Sequence, residues 1–247
     1  MNKKNVIILG IALLIFGSFF YFVPPMSQNH EYFNFADRRL IWGIPNFFDV
    51  VSNIPFLILG FLGVQRLQKS KKWSYLVFFI MIFCTGIGSA YFHLLISIDS
   101  LFWDRLPIAL AFMALMAGVV GDRTKPDVGN RILVPLLLLG GFSAIHWFVG
   151  EKSGHGDLRL YLLVQFGSMI LLLGLLAFVP SRYSGNRWLW MGLGAYVVAK
   201  IFETFDRPVF QITGFLSGHT IKHLAAGLGT YCVLQMFNER EKIRKFF

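Results

Sequence analysis

Charge is scarce in this 247-residue chain: Asp, Glu, Lys and Arg make up 15% of it, against the quarter or so that a water-soluble domain carries. With 55% of residues hydrophobic and a mean hydropathy of +0.60, that scarcity excludes disorder and makes lipid the main solvent of the chain. Cysteine is nearly absent as well. Cys84 and Cys232 lie inside apolar runs without a neighbouring thiol, which excludes a disulfide framework and a thiolate cluster and gives no sign of redox chemistry. Acidic residues number 13 against 23 Lys and Arg, a net charge of +10, yet no motif that reads nucleic acid accompanies the excess. Internal repeats, low-complexity tracts and a separate soluble domain are also missing, and nothing specifies an oligomeric state.

What the chain has in abundance is long apolar runs. A bilayer crossing takes about 20 mainly apolar residues, because every backbone polar group must be satisfied within the segment. Eight stretches meet that need: Val6 to Val23, Phe47 to Leu67, Trp73 to Ile96, Leu101 to Gly121, Ile132 to Val149, Leu160 to Val179, Trp188 to Phe205 and Leu216 to Phe237. Pro, Gly or clustered charge separates each from the next. The predicted fold is an all-α polytopic membrane helix bundle. The first stretch follows a basic Asn2-Lys3-Lys4 start but ends in bulky Phe20-Tyr21-Phe22-Val23, without a small-residue cleavage pattern, so it reads as a retained anchor. With the N-terminus inside, fifteen Lys and Arg fall in cytoplasmic segments, five (Arg38, Arg39, Lys152, Arg159, Arg207) in outer ones and three (Arg105, Lys200, Lys222) within spans. The positive-inside rule then puts both termini in the cytoplasm, in a cytoplasmic membrane of bacterial type.

Ionisable groups inside spans are costly and mark function by default. In this topology Ser89 and His93 lie near the outer end of the third span, Asp104 in the first turn of the fourth, and His219 and His223 in the first two turns of the eighth. His219 and His223 are four apart and share a helix face, as paired zinc ligands do, and Ser89 and His93 repeat the spacing. A third histidine at the same depth would complete three neutral nitrogen donors with an open position, the arrangement of catalytic zinc. His93 and His146, at the outer end of the fifth span, both qualify for that place, and the same residues serve equally as interhelical hydrogen bonds that hold a bundle together. His30 and His155 fall in outer loops and read as solvated. Cys84 and Cys232 lie nine positions from His93 and His223, roughly 13 Å deeper, too far to join them. Lys200 and Glu203 are spaced for an intrahelical pair, Asp206 is placed to orient a histidine, and Lys222 is expected to point away from a cation.

The set Ser89-x-x-x-His93, Asp104 and His219-x-x-x-His223 resembles the alkaline ceramidase family, in a wider superfamily of seven-helix membrane hydrolases that also includes adiponectin-receptor-like proteins. Asn46-Phe-Phe-Asp-Val-Val-Ser-Asn53 is similar to the start of that family's first core helix. The resemblance covers roughly Asp37 to Phe237 and divides the chain into an N-terminal anchor and outer loop, residues 1–36, and a seven-helix core, residues 37–247. It implies Zn2+ held by His93, His219 and His223, with Asp104 and Ser89 as catalytic groups, in a lipid amidase acting on ceramide or a similar N-acyl lipid within the bilayer. Family members with a calcium site near the first core helix carry an acidic residue where Asn46 stands. That departure counts against Ca2+ at Asp37, Asn46 and Asp49, which read equally as capping and loop contacts. A receptor or transporter that binds a lipid or ion with the same polar cluster, without hydrolysis, is the alternative function.

Overall fold

Apolar runs interrupted by Pro, Gly and charge fold as helix after helix in the computed structural model, which describes residues 17–243. The predicted span Val6 to Val23 therefore falls largely outside the described residues, as do Lys3, Lys4, Arg244 and Lys245. Among the described residues no strand forms, and seven long helices run back and forth. We label them α1 (Phe47–Leu67), α2 (Trp73–Leu94), α3 (Ile98–Arg123), α4 (Pro126–Lys152), α5 (Arg159–Phe178), α6 (Asn186–Thr204) and α8 (Gly218–Asn238); the short α7 (Asp206–Thr213) lies between the last two. Helices α1 to α5 are long and apolar enough to cross a membrane by length and composition. Helix α6 is more polar, carrying Arg187, Lys200 and Glu203.

Sequential helices pack side by side, and α8 closes the bundle by lying against both α6 and α1. Helix α3 is the central one: 72% of its apolar stretch is buried inside the bundle, against 28% for α4. Large apolar side chains such as Leu138 on α4 and Ile170 and Leu171 on α5 face outwards, a surface that suits lipid and not water.

Three local features bring the polar residues to one end. In α1, Pro55 lacks the N–H that would reach Val51, so the helix is interrupted at Ser52 and Asn53; their side chains donate instead to the Asp49 carbonyl, at 3.1 and 2.8 Å. At Gly88 on α2 a Cβ would overlap the Trp103 carbonyl of α3, so only glycine lets these backbones meet directly beside Ser89 and Asp104. Gly218, at the start of α8, lies equally close to the Phe202 carbonyl at the end of α6. One end of the bundle thus collects the C-termini of α2, α4 and α6 with the N-termini of α3, α5 and α8.

Residues 24–46 fold over this end and are tied down by polar contacts. Arg159 donates to the carbonyls of Phe20 and Val23 at 2.9 and 2.7 Å, Leu158 N–H donates to Met26, and Gln28 N–H donates to Glu151 at 2.5 Å.

Candidate metal centre

His93, His219 and His223 meet at the covered end of the bundle, all three buried, each offering a ring nitrogen within 4.8 Å of those of the others. Among the described residues they are the group of His, Cys, Asp and Glu side chains placed to share a metal ion. His93, on the last turn of α2, is 1% exposed, and neither ring nitrogen has a hydrogen-bond partner. A buried imidazole left without partners costs about 1–3 kcal/mol, so an orphan held between two further imidazoles fits a cation that all three would bind. His146, on peripheral α4, lies outside this group: it is exposed and beside Phe142. His30, at the start of a short 3-10 helix, and His155, in a loop, are exposed, and Cys84 and Cys232 are free thiols.

The other two histidines are held by neighbours. Ser52 Oγ lies 2.8 Å from His223 Nδ1 and also donates to the Asp49 carbonyl, so its lone pair faces an Nδ1–H and leaves Nε2 as the bare nitrogen. That Nε2 is 3.5 Å from Ser89 Oγ. Asp206 accepts the backbone N–H of His219 at 2.8 Å and that of Ala36 at 2.8 Å, pinning the start of α8 to the covering segment. It thus orients the backbone of a histidine and not its ring. Lys200 and Glu203 form the expected pair, at 2.5 Å.

Lys222 departs from expectation. Its Nζ does not point away but donates to His219 Nε2 at 2.8 Å and lies 3.3 Å from Glu203. Positions 219 and 222 share a helix face, and the Glu203 carboxylate on α6 draws the ammonium to that side. Lys222 thus occupies one ring nitrogen of His219, and Glu203 offers the ammonium another partner.

Asp104, in the second turn of α3, is buried with Oδ1 unpartnered, and its carboxylate is within hydrogen-bonding reach of Ser89. Asp37, Asn46 and Asp49 are also buried, but their polar atoms are largely taken up by protein. Arg39 clasps Asp37 with Nε and Nη2 at 2.8 and 2.7 Å; Asn46 donates to the His93 carbonyl at 2.8 Å; Asp49 Oδ1 accepts from Ser217 and Thr220 at 3.0 and 2.6 Å. The Asn46 and Asp49 contacts brace the histidine-bearing helices. Asp49 Oδ2 has no partner.

Two contributors escaped the sequence reading. Ser52 gave no signal beyond its place in the Asn46 to Asn53 segment. Phe35 gave none: its ring lies 4.7 Å from His93 and 4.6 Å from His219 and, 4% exposed, seals the cluster from the covering segment.

A cavity of about 600 Å³ opens beside the cluster, lined by Ser89, Asp104 and His223 and continuing among the apolar side chains of α2, α3, α5, α6 and α8. Along α2 it reaches from Ser89 back to Phe78, eleven residues or roughly 16 Å. One turn of α5, Leu163–Gly167, is a π-helix, and its Gln165 lines the same space.

Fold and site together define a polytopic helical membrane protein with a buried three-histidine cluster at the polar end of an apolar cavity. A ceramidase family model matches residues 40–243, and the chain belongs to the ceramidase family. No curated protein sequence matches the chain.

Proposed function

We propose that the protein is a zinc-dependent lipid amidase, hydrolysing the N-acyl amide of ceramide or a ceramide-like lipid. The observation that carries this reading is the orphaned His93 ring within reach of two further buried imidazoles, beside a free carboxylate oxygen and an apolar cavity. His93, His219 and His223 would hold the ion. When bound, zinc supplies Lewis acidity, which brings the pKa of a water towards ~7 and polarises a carbonyl.

The chain's own groups do the rest. Asp104 Oδ1, buried and unpartnered, accepts the proton of the attacking water and returns it to the departing amine nitrogen, acting as base and then acid. Ser89 donates a hydrogen bond from its hydroxyl to the oxyanion that develops on the carbonyl oxygen. The apolar arm of the cavity takes the acyl chain, and Phe35 with the covering segment excludes bulk water, which strengthens both polar effects. The division into a membrane anchor and outer loop, residues 1–36, and a catalytic core, residues 37–247, belongs to this reading. So does an orientation with both termini cytoplasmic and the site towards the outer face, favoured by the distribution of Lys and Arg.

The test is zinc analysis of protein purified without chelators, followed by product analysis with a panel of N-acyl lipids. Stoichiometric zinc with release of fatty acid is the expected result. Zinc-loaded protein that binds an N-acyl lipid saturably but never cleaves one would replace the enzyme with a receptor. Reporter fusions after Lys71 and after the C-terminus should read as cytoplasmic, and one near Ser153 as external.

A further inference from the structure

One charged side chain in the cavity has no part in the amide chemistry. Arg105 follows Asp104 on α3, is 8% exposed and lines the cavity. Its guanidinium sits 4.2 Å from the ring of Trp147, 5.1 Å from that of Tyr161 and 5.5 Å from that of Tyr32. Nη1 is enclosed and has no hydrogen-bond partner, and among the described residues no carboxylate pairs with this arginine. Of the other acidic groups, Glu203 is taken up by Lys200 and Lys222, and Glu151 accepts from Gln28 N–H and Trp147 Nε1–H.

Guanidinium stays charged at any pH a protein meets, so Arg105 cannot shed its charge to suit a lipid environment. Ring faces attract it, but they offset only part of the cost of taking a full charge out of water. Rings also accept no conventional hydrogen bond, and Nη1 is left as the N–H group without an acceptor. A planar fork of donors matches a carboxylate or phosphate through two parallel hydrogen bonds. An unpaired arginine inside a membrane bundle is therefore complementary to an anion that is not part of the protein.

The position says which part of a lipid would carry that anion. Arg105 shares the level of Asp104, while the apolar arm runs the other way, to Phe78. With the acyl chain in that arm and the amide at Ser89, Asp104 and His223, the headgroup side of the lipid lies at Arg105. Tyr32 of the covering segment shares a side-chain hydrogen bond with the arginine there, and Gln28 and Asn29 line the same cavity.

We propose that Arg105 is the headgroup-binding residue and that the cavity selects N-acyl lipids bearing a carboxylate or phosphate over neutral ceramide. This rests on the amidase reading for the location of the amide. The test is equilibrium binding to the full chain in neutral detergent, with N-palmitoyl-serine, ceramide 1-phosphate and ceramide of the same acyl chain as probes. The readout is tryptophan fluorescence, the Trp147 ring lying 4.2 Å from the guanidinium. Wild type is expected to bind at least one anionic lipid about tenfold or more tighter than ceramide, and the identity of that lipid distinguishes carboxylate from phosphate. Arg105→Gln should bring the affinities to within about twofold of each other, and Arg105→Lys, which keeps the charge without the fork, should lose much of the preference. Equal affinities in wild type, or a preference that survives in folded Arg105→Gln, would overturn the proposal. If Arg105→Gln does not fold, Arg105→Lys decides: full retention of the preference would refute recognition by the fork. Cleavage is assayed separately. Anionic preference without cleavage of any lipid removes the amidase and leaves the headgroup site, whereas cleavage with no anionic preference does the reverse.

Discussion

Asp104 and Asp122 stand on the same helix, 18 residues or roughly 27 Å apart, both buried, and they live in opposite surroundings. Asp122 accepts from Arg240 through both oxygens and from the Tyr75 hydroxyl at 2.6 Å, while neighbouring Arg123 donates to Leu175 and Asn186. That network joins α2, α3, α5, α6 and the segment after α8. Asp104 leaves Oδ1 unpartnered, beside a histidine with no partner at either nitrogen and an arginine with an idle Nη1. A network whose carboxylate is fully paired holds helices together, because both oxygens of Asp122 already have donors in place of water, although Arg123 Nη1 and Arg240 Nε lack acceptors. An open one is stable only where something else completes it, which is why the open end is the one we read as the site.

The contrast can be broken in stages. The largest effect is expected from His93→Ala, His219→Ala and His223→Ala, each of which should abolish stoichiometric zinc and turnover, while His146→Ala keeps both; elemental analysis of the purified variants decides it. Loss of zinc in His146→Ala with retention in His93→Ala would mean that the geometric cluster is not the metal centre. Asp104→Asn should keep zinc and fold but lose about 10²- to 10⁴-fold in turnover, since the amide cannot take the proton. A zinc-free Asp104→Asn would make Asp104 a ligand or its support.

At the closed end the readout changes from chemistry to stability. Asp122→Asn leaves Arg240 buried without its counter-charge and should cost about 3–5 kcal/mol, measured by thermal unfolding in detergent, with the zinc content of the folded fraction unchanged. Unaltered stability would show that this network is not what closes that end. Ser89→Ala should retain zinc and reduce turnover on the order of 10²-fold, the loss of one preorganised donor. The smallest effect belongs to Ser52→Ala, which frees the His223 ring and should weaken zinc affinity by about 10- to 100-fold, read by chelator competition at constant pH. A wild-type affinity in that variant would leave the Ser52 contact without a role in metal binding.

Several of these residues were legible in the linear sequence, and others were not. The Phe47 to Leu67 span was readable to the residue, because hydropathy reports directly which segments lipid can solvate. His219 and His223 were readable as a pair because a four-residue spacing puts two side chains on one helix face whatever the helix packs against. His93 and His146 were indistinguishable at that level. Both lie at the same depth, and only the packing shows that α2 turns His93 inwards while peripheral α4 turns His146 out. Lys222 was misread for a related reason: its direction is set by Glu203, nineteen residues earlier on another helix.

What the sequence by itself determined is the set of local properties: helical segments and their order, the depth of each ionisable group, and the motif that carries the family resemblance. Depth and helical period follow from the chain alone, since rise and rotation per residue are constants of the helix. The tertiary structure decided rotation and neighbourhood. Gly88 against the Trp103 carbonyl and Gly218 against the Phe202 carbonyl set which faces of α2, α3, α6 and α8 meet. From those contacts come the convergence of three imidazoles, the Ser52 bond to His223, the Phe35 seal and the unpartnered Nη1 of Arg105. None has a local signature, because each depends on side chains brought together from distant parts of the chain by backbone approaches that a spacing rule does not contain.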